Sequence, residues 1–340
     1  MVFTLPLTVA VSFVADGWLT FLPLFYSFAV IPLLELFFKA DPQNISDAEI
    51  EMRKNDRIYD VLLYMVVPVQ WCFLVWFLMV VNQTGLSTFE TAGRITAMGL
   101  MCGVIGINVA HELGHRVKAH ERFMAKVLLL SSMYMHFYIE HNLGHHKNVS
   151  TTADPSSSRK NEPLQVFWFR SIFTGYLSAW RIENKSLKRK KQTIFGLRNE
   201  MIRFSIAQVL LMVCIAFFFS PKVLMFYLLA AFTGILLLES VNYIEHYGLA
   251  RKKITEFRYE RALPKHSWNS DHVIGRLMLF ELSRHSDHHY LASKKYQLLD
   301  HHDNSPQMPT GYPGMLILAF IPPLWFKIMN KRVEYWNSKN

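Results

Sequence analysis

The sequence is short of cysteine, of charge and of nucleotide-binding signatures, and each shortage removes a class of function. Only three cysteines occur among 340 residues: Cys72, Cys102 and Cys214. Each sits in an apolar run and none forms a CxxC pair, so neither a disulfide framework nor a cysteine-ligated zinc or iron–sulfur site is expected. They read as small buried hydrophobes. No GxGxxG loop is present, so no dinucleotide site is expected. Charged residues make up only 18% of the chain, yet the formal net charge is +10. No RNA- or DNA-binding motif accompanies that charge, and nucleic acid is not expected as a partner. There is no internal repeat and no low-complexity segment. The apolar N-terminus lacks a basic n-region and a clear cleavage site, so it reads as a retained span.

What is abundant is apolar and aromatic: 51% hydrophobic residues and 14% aromatics, arranged in long uncharged runs between polar, basic segments. That layout predicts an all-α, polytopic membrane protein with about six transmembrane helices. The runs are Val2 to Ala15, Trp18 to Phe38, Asp60 to Val81, Ile95 to about Ala110, Ile202 to Ser220 and Val223 to Tyr243. Asp16-Gly17 predicts a hairpin between the first two, and Ser220-Pro221-Lys222 a turn between the last two. The 39–57 segment carries Lys39, Arg53, Lys54 and Arg57, and the 142–200 segment is strongly basic, so both are expected to face the cytoplasm. Phe123 to Ile139 and Tyr312 to Phe326 are then expected to be interfacial or re-entrant, the second interrupted by Pro322 and Pro323. A single membrane-embedded domain over 1–340 is expected: first four spans in 1–110, histidine boxes and basic loop in 111–200, last two spans in 201–245, and a cytoplasmic C-terminal segment in 246–340.

The 15 histidines are clustered. His111 and His115 form HxxxH; His141, His145 and His146 form HxxxHH; His285, His288 and His289 form HxxHH; His246 lies in Asn242-Tyr-Ile-Glu-His-Tyr-Gly248. Residues three and four apart share a helix face, so each box can point at one metal. All four groups fall at predicted cytoplasmic helix ends and can converge. Nine imidazoles exceed one metal and are awkward for two tetrahedral zincs. Two octahedral ions accommodate them and keep open positions for oxygen; imidazole chemistry alone leaves the metal open. Metal-bound histidine donates its other N–H to a carboxylate or carbonyl, a role assigned to Glu112, Glu140, Glu245 and Asp287, with Asn242 and His266 as further supports. His120, His301 and His302 read as solvated, His136 as packed and His272 as a surface residue.

These boxes resemble those of the integral-membrane alkane monooxygenases, a branch of the membrane fatty-acid desaturase-like superfamily. Asn242-Tyr-Ile-Glu-His-Tyr-Gly248 narrows the resemblance to that branch, and His266-Ser-Trp-Asn-Ser270 and Gly311-Tyr-Pro-Gly-Met315 are similar to it as well. The resemblance implies two non-haem irons held by the nine histidines. It implies terminal hydroxylation of n-alkanes with O2, and electrons from a rubredoxin that a flavin-dependent reductase reduces. It also implies a bacterial cytoplasmic membrane location, with the iron site on the cytoplasmic side.

An unactivated C–H bond is beyond acid–base chemistry and calls for a redox metal. One oxygen atom enters the alkane and the other leaves as water, with two electrons and two protons supplied. An apolar tunnel from the bilayer would present the chain end-on. Trp18, Trp71 and Trp76 read first as boundary anchors, with tunnel gating as the alternative. The basic run Lys185 to Lys191 reads first as topogenic, with steering of an acidic donor as the alternative. The rival functions are a xylene-type side-chain hydroxylase or an acyl-lipid desaturase or hydroxylase with the same iron site. A metal transporter is the rival from another class; its sites lie near the bilayer midplane.

Overall fold

A computed structural model of the chain describes residues 1–38, 40–256 and 258–339. Lys39, counted above among the basic residues of the 39–57 segment, lies outside them. In chain order the helices are α1 (Thr4–Val14), α2 (Gly17–Phe37), α3 (Asp47–Asn55), α4 (Ile58–Val81), α5 (Thr88–Gly114), α6 (Ala119–Ser131), α7 (137–148), α8 (Leu164–Arg189), α9 (Glu200–Phe218), α10 (Pro221–His246), α11 (Val273–Met278), α12 (His285–Tyr290), α13 (Tyr312–Ala319) and α14 (Pro322–Ser338). A two-stranded antiparallel hairpin, β1 (Lys253–Thr255) with β2 (Arg258–Tyr259), is the sheet among the described residues.

Among those residues five helices, α2, α4, α5, α9 and α10, are long and apolar enough to cross a membrane. The first expected span is α1, an 11-residue helix. At about 1.5 Å per residue it reaches roughly half of a hydrocarbon core. The expected hairpin after it is made by Gly17 at φ +60, whose N–H donates to Glu90 Oε1 at 3.0 Å. Ser46 with Glu49 and Ser87 with Glu90 form capping boxes that start α3 and α5.

Among the described residues three helices contain π-turns, at Tyr26–Val30, Met101–Ile107 and Glu140–His145. The first precedes Pro32, which has no N–H to continue the α-helical ladder. The stretch 123–139 is not one helix: α6 ends at Ser131 and Met133 takes φ +55 before the chain re-enters a helix at Phe137. The stretch 312–326 breaks between α13 and α14, with Pro322 in the first turn of α14.

The chain divides into two compact units. Unit 1 comprises Met1–Ala29, Asp60–Ile139 and Ala179–Leu238; unit 2 comprises Val30–Tyr59, Glu140–Ser178 and Glu239–Asn340. In unit 1, α5 and α10 approach through small residues: a Cβ on Gly234 would stand 2.6 Å from Cys102 Cβ. Arg94 donates to the carbonyl of Ala15 at 2.9 Å, and Tyr227 Oη to that of Ser131 at 3.1 Å. Cys102 is buried, but Cys72 and Cys214 are exposed on α4 and α9, contrary to their expected burial; both helices turn much of their apolar surface outward. Trp18 is 80% exposed and sets its ring edge-on to Phe89 at 4.8 Å.

Unit 2 has an aromatic core. The rings of Tyr243 and Tyr247 each lie 5.2 Å from that of Trp325. Both tyrosines also bond: Tyr243 Oη donates to the carbonyl of Glu162 at 2.7 Å and Tyr247 Oη to Asn330 Oδ1 at 2.8 Å. Trp268 Nε1 donates to the carbonyl of Tyr247 at 2.9 Å. Gly248 ends α10 at φ +69, and a Cβ there would meet Val333 Cγ1 at 2.8 Å. The tyrosines and glycine of the 242–248 motif thus fix the end of α10, and with it His246.

Candidate metal centre

Unit 2 gathers seven histidines into two groups. In the first, the ligand atoms of His145, His246, His285 and His289 all lie within 4.8 Å of one another and all four rings are buried. Three elements deliver them: the π-turn of α7, the last residue of α10, and the first and fifth residues of α12. His285 Nε2 and His246 Nε2 are 3.2 Å apart. The second group is His141, His146 and His288, with His146 Nε2 at 3.0 Å from His141 Nε2 and 3.1 Å from His288 Nε2.

Helix-face spacing pairs His141 with His145, whereas the structure places them in different groups. The cause is the π-turn over Glu140–His145. Its i→i+5 bonding brings His146, not His145, over His141. On α12, His285 and His289 are one turn apart and join the first group, while His288 joins the second.

The chemistry of these rings fits metal ions. Neutral imidazole carries one N–H and one lone pair, so the single hydrogen on His146 Nε2 cannot serve two facing Nε2 atoms. His145 Nε2 and both ring nitrogens of His289 are buried with no hydrogen-bond partner among the described residues. Leaving one such group unsatisfied costs about 1–3 kcal/mol, a cost that a metal at the focus removes. Burial, reinforced by the neighbouring His146, His285, His145 and His246, holds His289 well below the usual imidazole range, in the neutral form that ligates.

Asp154, which sequence inspection passed over, is the clearest support of a ligand. Its Oδ2 lies 2.8 Å from His145 Nδ1 and also accepts from Ser157 Oγ at 2.5 Å. A proton on Nδ1 leaves the Nε2 lone pair aimed at the focus. Burial alone would raise the Asp154 carboxyl, but His145 and the hydrogen bonds from His145 and Ser157 hold it below the usual range. Glu245 Oε2 lies 3.2 Å from His285 Nε2, and its Oε1 accepts from Tyr312 Oη at 2.7 Å. Tyr312, within the Gly311–Met315 motif, was not singled out as a site residue.

The other expected supports are placed as follows. Asp287 accepts from His302 Nε2 at 2.7 Å, from Lys294 Nζ at 2.7 Å and from the N–H of Asp300 at 2.8 Å. His302, expected to be solvated, is therefore half-buried on a carboxylate, and His301 lies on Asp271 at 2.8 Å. Glu140 is buried beside Ser178 Oγ at 3.4 Å; burial, with the charges of Asp154 and Glu239, raises it well above the usual range. Asn242 donates to Glu239, which also accepts from Ser171 Oγ at 2.5 Å. His266 accepts from the N–H of Leu263 at 3.0 Å and lies 3.2 Å from Glu260; burial pushes it down to about 4. His120 lies exposed against Tyr64, His136 is buried, and His272 is half-buried against Ser270.

In unit 1, His111 and His115 stand at the end of α5 with ring centroids 5.1 Å apart. Glu112 between them accepts from Arg116 Nε at 3.0 Å, and Arg116 Nη1 donates to Asp60 Oδ1 at 3.2 Å.

Comparison with known proteins adds two findings. Residues 87–318 match the family model described as fatty acid desaturase. The chain is 38% identical over 322 residues to an alkane 1-monooxygenase of Pseudomonas putida, covering 94% of this chain and 80% of the relative. It is 40% identical over 321 residues to alkane 1-monooxygenase 1 of Pseudomonas aeruginosa, covering 92% and 84%. The hydroxylase component of a xylene/toluene monooxygenase of Pseudomonas putida is more distant, at 26% identity over 251 residues, 74% of this chain and 66% of the relative.

Proposed function

The chain belongs to the alkane 1-monooxygenases within the fatty acid desaturase family, and from that premise we propose that it hydroxylates the terminal carbon of n-alkanes at a centre of two irons. His111, His115, His141, His145, His146, His246, His285, His288 and His289 hold the metals, and 1–340 works as one membrane-embedded domain. The observation that carries this reading is the convergence of the unit 2 imidazoles, with the buried, unpartnered ring nitrogens of His145 and His289 among them. His111 and His115 are assigned to the same centre on the strength of their HxxxH spacing and their adjacent rings.

When bound, the irons supply the redox capacity that cleaves O2, which no side chain can supply. The balanced reaction takes alkane, O2, two electrons and two protons to alcohol and water. The chain's part is to hold the ligands and keep the site dry. Asp154 fixes the tautomer of His145. Glu245, itself held by Tyr312, lies against His285 and offsets part of the metal charge. Glu112 with Arg116, and Asp287 with Lys294, Asp300 and His302, brace the backbone beside their ligands. Glu140, Asn242 and His266 brace the same boxes through Ser178, Glu239 and Glu260. Burial of the four-histidine group excludes bulk water.

The electron donor is a rubredoxin, reduced in turn by a flavin-dependent reductase. The multi-pass chain lies in a bacterial cytoplasmic membrane with the iron site on the cytoplasmic side, a placement supported by the basic 142–200 segment. The test is product analysis with purified protein, rubredoxin and reductase, offering octane, hexadecane, xylene and a fatty acyl substrate. The expected products are 1-octanol and 1-hexadecanol. The 26% relative motivates the rival: benzylic alcohol without alkanol would replace this reading by a side-chain hydroxylase, and an unsaturated acyl chain would replace it by a desaturase.

A further inference from the structure

Helix α8 is not among the long apolar spans, yet one of its faces is apolar and uncovered. Its buried face runs Leu164, Phe167, Ser171, Gly175, Ala179 and Leu187, at three-, four- and eight-residue steps. The opposite face carries Val166, Phe169, Phe173 and Leu177, with Phe169 at 65% and Phe173 at 66% exposure. The same three-and-four spacing continues without a break into Arg181, Lys185 and Lys188, all exposed. One outward ladder is thus apolar over its first three turns and cationic over its last two.

The cationic end is shaped. Arg181, Asn184, Lys185, Lys188 and Arg189 border a shallow, open groove on the surface of the helix. Asn184 is anchored by a hydrogen bond from Asn199 Nδ2 at 3.1 Å. Among the described residues none of the four cations pairs with a carboxylate, unlike Arg116, Lys126 or Arg170 elsewhere on the chain. Basic residues in a last turn also favour the helix dipole, but that preference would not account for the exposed aromatic ladder preceding them. Exposed large apolar residues followed along the same ladder by unpaired cations suit a helix whose first turns enter the bilayer interface and whose last turns meet its headgroups.

We propose that the outward face of α8 lies on the membrane and that Arg181, Lys185, Lys188 and Arg189 bind the headgroups of anionic phospholipids. The apolar ladder enters the acyl boundary, and the groove receives a lipid phosphate, to which guanidinium binds through two parallel N–H donors and ammonium as a point charge. The occupant is lipid and not an acidic protein because the cations continue the exposed apolar ladder on a chain already embedded in a bilayer.

The test compares the full-length chain with the triple variant Arg181→Gln/Lys185→Gln/Lys188→Gln, both purified in mild detergent. Native mass spectrometry counts retained phosphatidylglycerol against phosphatidylcholine, each added at the same concentration. The parent chain is expected to retain phosphatidylglycerol preferentially, and the variant to lose at least tenfold of that preference at an unchanged Tm. Equal retention of both lipids by the parent, or an undiminished preference in the variant, overturns the proposal. A variant that keeps its lipid preference but needs more rubredoxin to reach half-maximal turnover overturns it as well, in favour of a protein-docking patch. If the variant does not fold, Phe169→Ser/Phe173→Ser serves instead. Its expected outcome is weaker retention of both lipids, and unchanged retention counts against the proposal.

Discussion

Asp154 shows what one carboxylate does for a ligand. It holds the Nδ1 side of His145 at 2.8 Å and so decides which nitrogen faces the metal. Asp154→Asn keeps the volume but weakens the acceptor and removes the charge. Iron affinity is expected to fall by about 10–100-fold, read by titrating iron-free protein with ferrous ion; an unchanged affinity would mean that His145 needs no such support. Gly248→Ala is expected to lower Tm and, by shifting the end of α10 that carries His246, to reduce iron retention. A side chain there meets Val333 at 2.8 Å and must hold φ +69, a strain of about 1–3 kcal/mol. The histidine clusters were legible because metal ligands come in closely spaced boxes. Asp154 was not, because it lies nine residues beyond His145 in a polar loop whose path no periodicity fixes. Tyr312 was hidden likewise: its partner Glu245 is 67 residues away.

At the scale of elements, the lesson lies in the π-turn of α7. Helical arithmetic locates the HxxxHH box but assigns its members wrongly, since it assumes that i and i+4 meet. With i→i+5 bonding, His146 swings over His141 and His145 is released to the four-histidine group. One extra residue per turn therefore splits a single box between two clusters. Deleting Leu143, which is 57% exposed, should restore α-helical spacing with little loss of packing. The expected result is a chain that folds but retains no more than one iron; two tightly held irons would show that the π-turn is dispensable. The apolar helices themselves were read closely, because hydropathy over about 20 residues is a strong signal. Their interruptions were not read, since a π-turn or the turn at 132–136 leaves no mark on hydropathy.

For the whole molecule, the distribution of charge sets the topology. Its +10 net charge gathers in segments between apolar runs, and the proposed topology keeps those segments, with the metal boxes, on the cytoplasmic side. Lys253→Cys, in the hairpin, is expected to react with a membrane-impermeant maleimide in inverted vesicles but not in right-side-out cells. The native Cys72 and Cys214 are exposed on apolar helices and are expected to be shielded by lipid from the same reagent. Labelling of Lys253→Cys from outside intact cells would invert the topology. The central claim is that nine imidazoles enclose two irons, and counting metal in the purified chain tests it most directly. Elemental analysis by mass spectrometry is expected to give two irons per chain and negligible zinc, falling sharply in His285→Ala but not in His120→Ala. A single tightly bound zinc, or iron unaffected by His285→Ala, would contradict it.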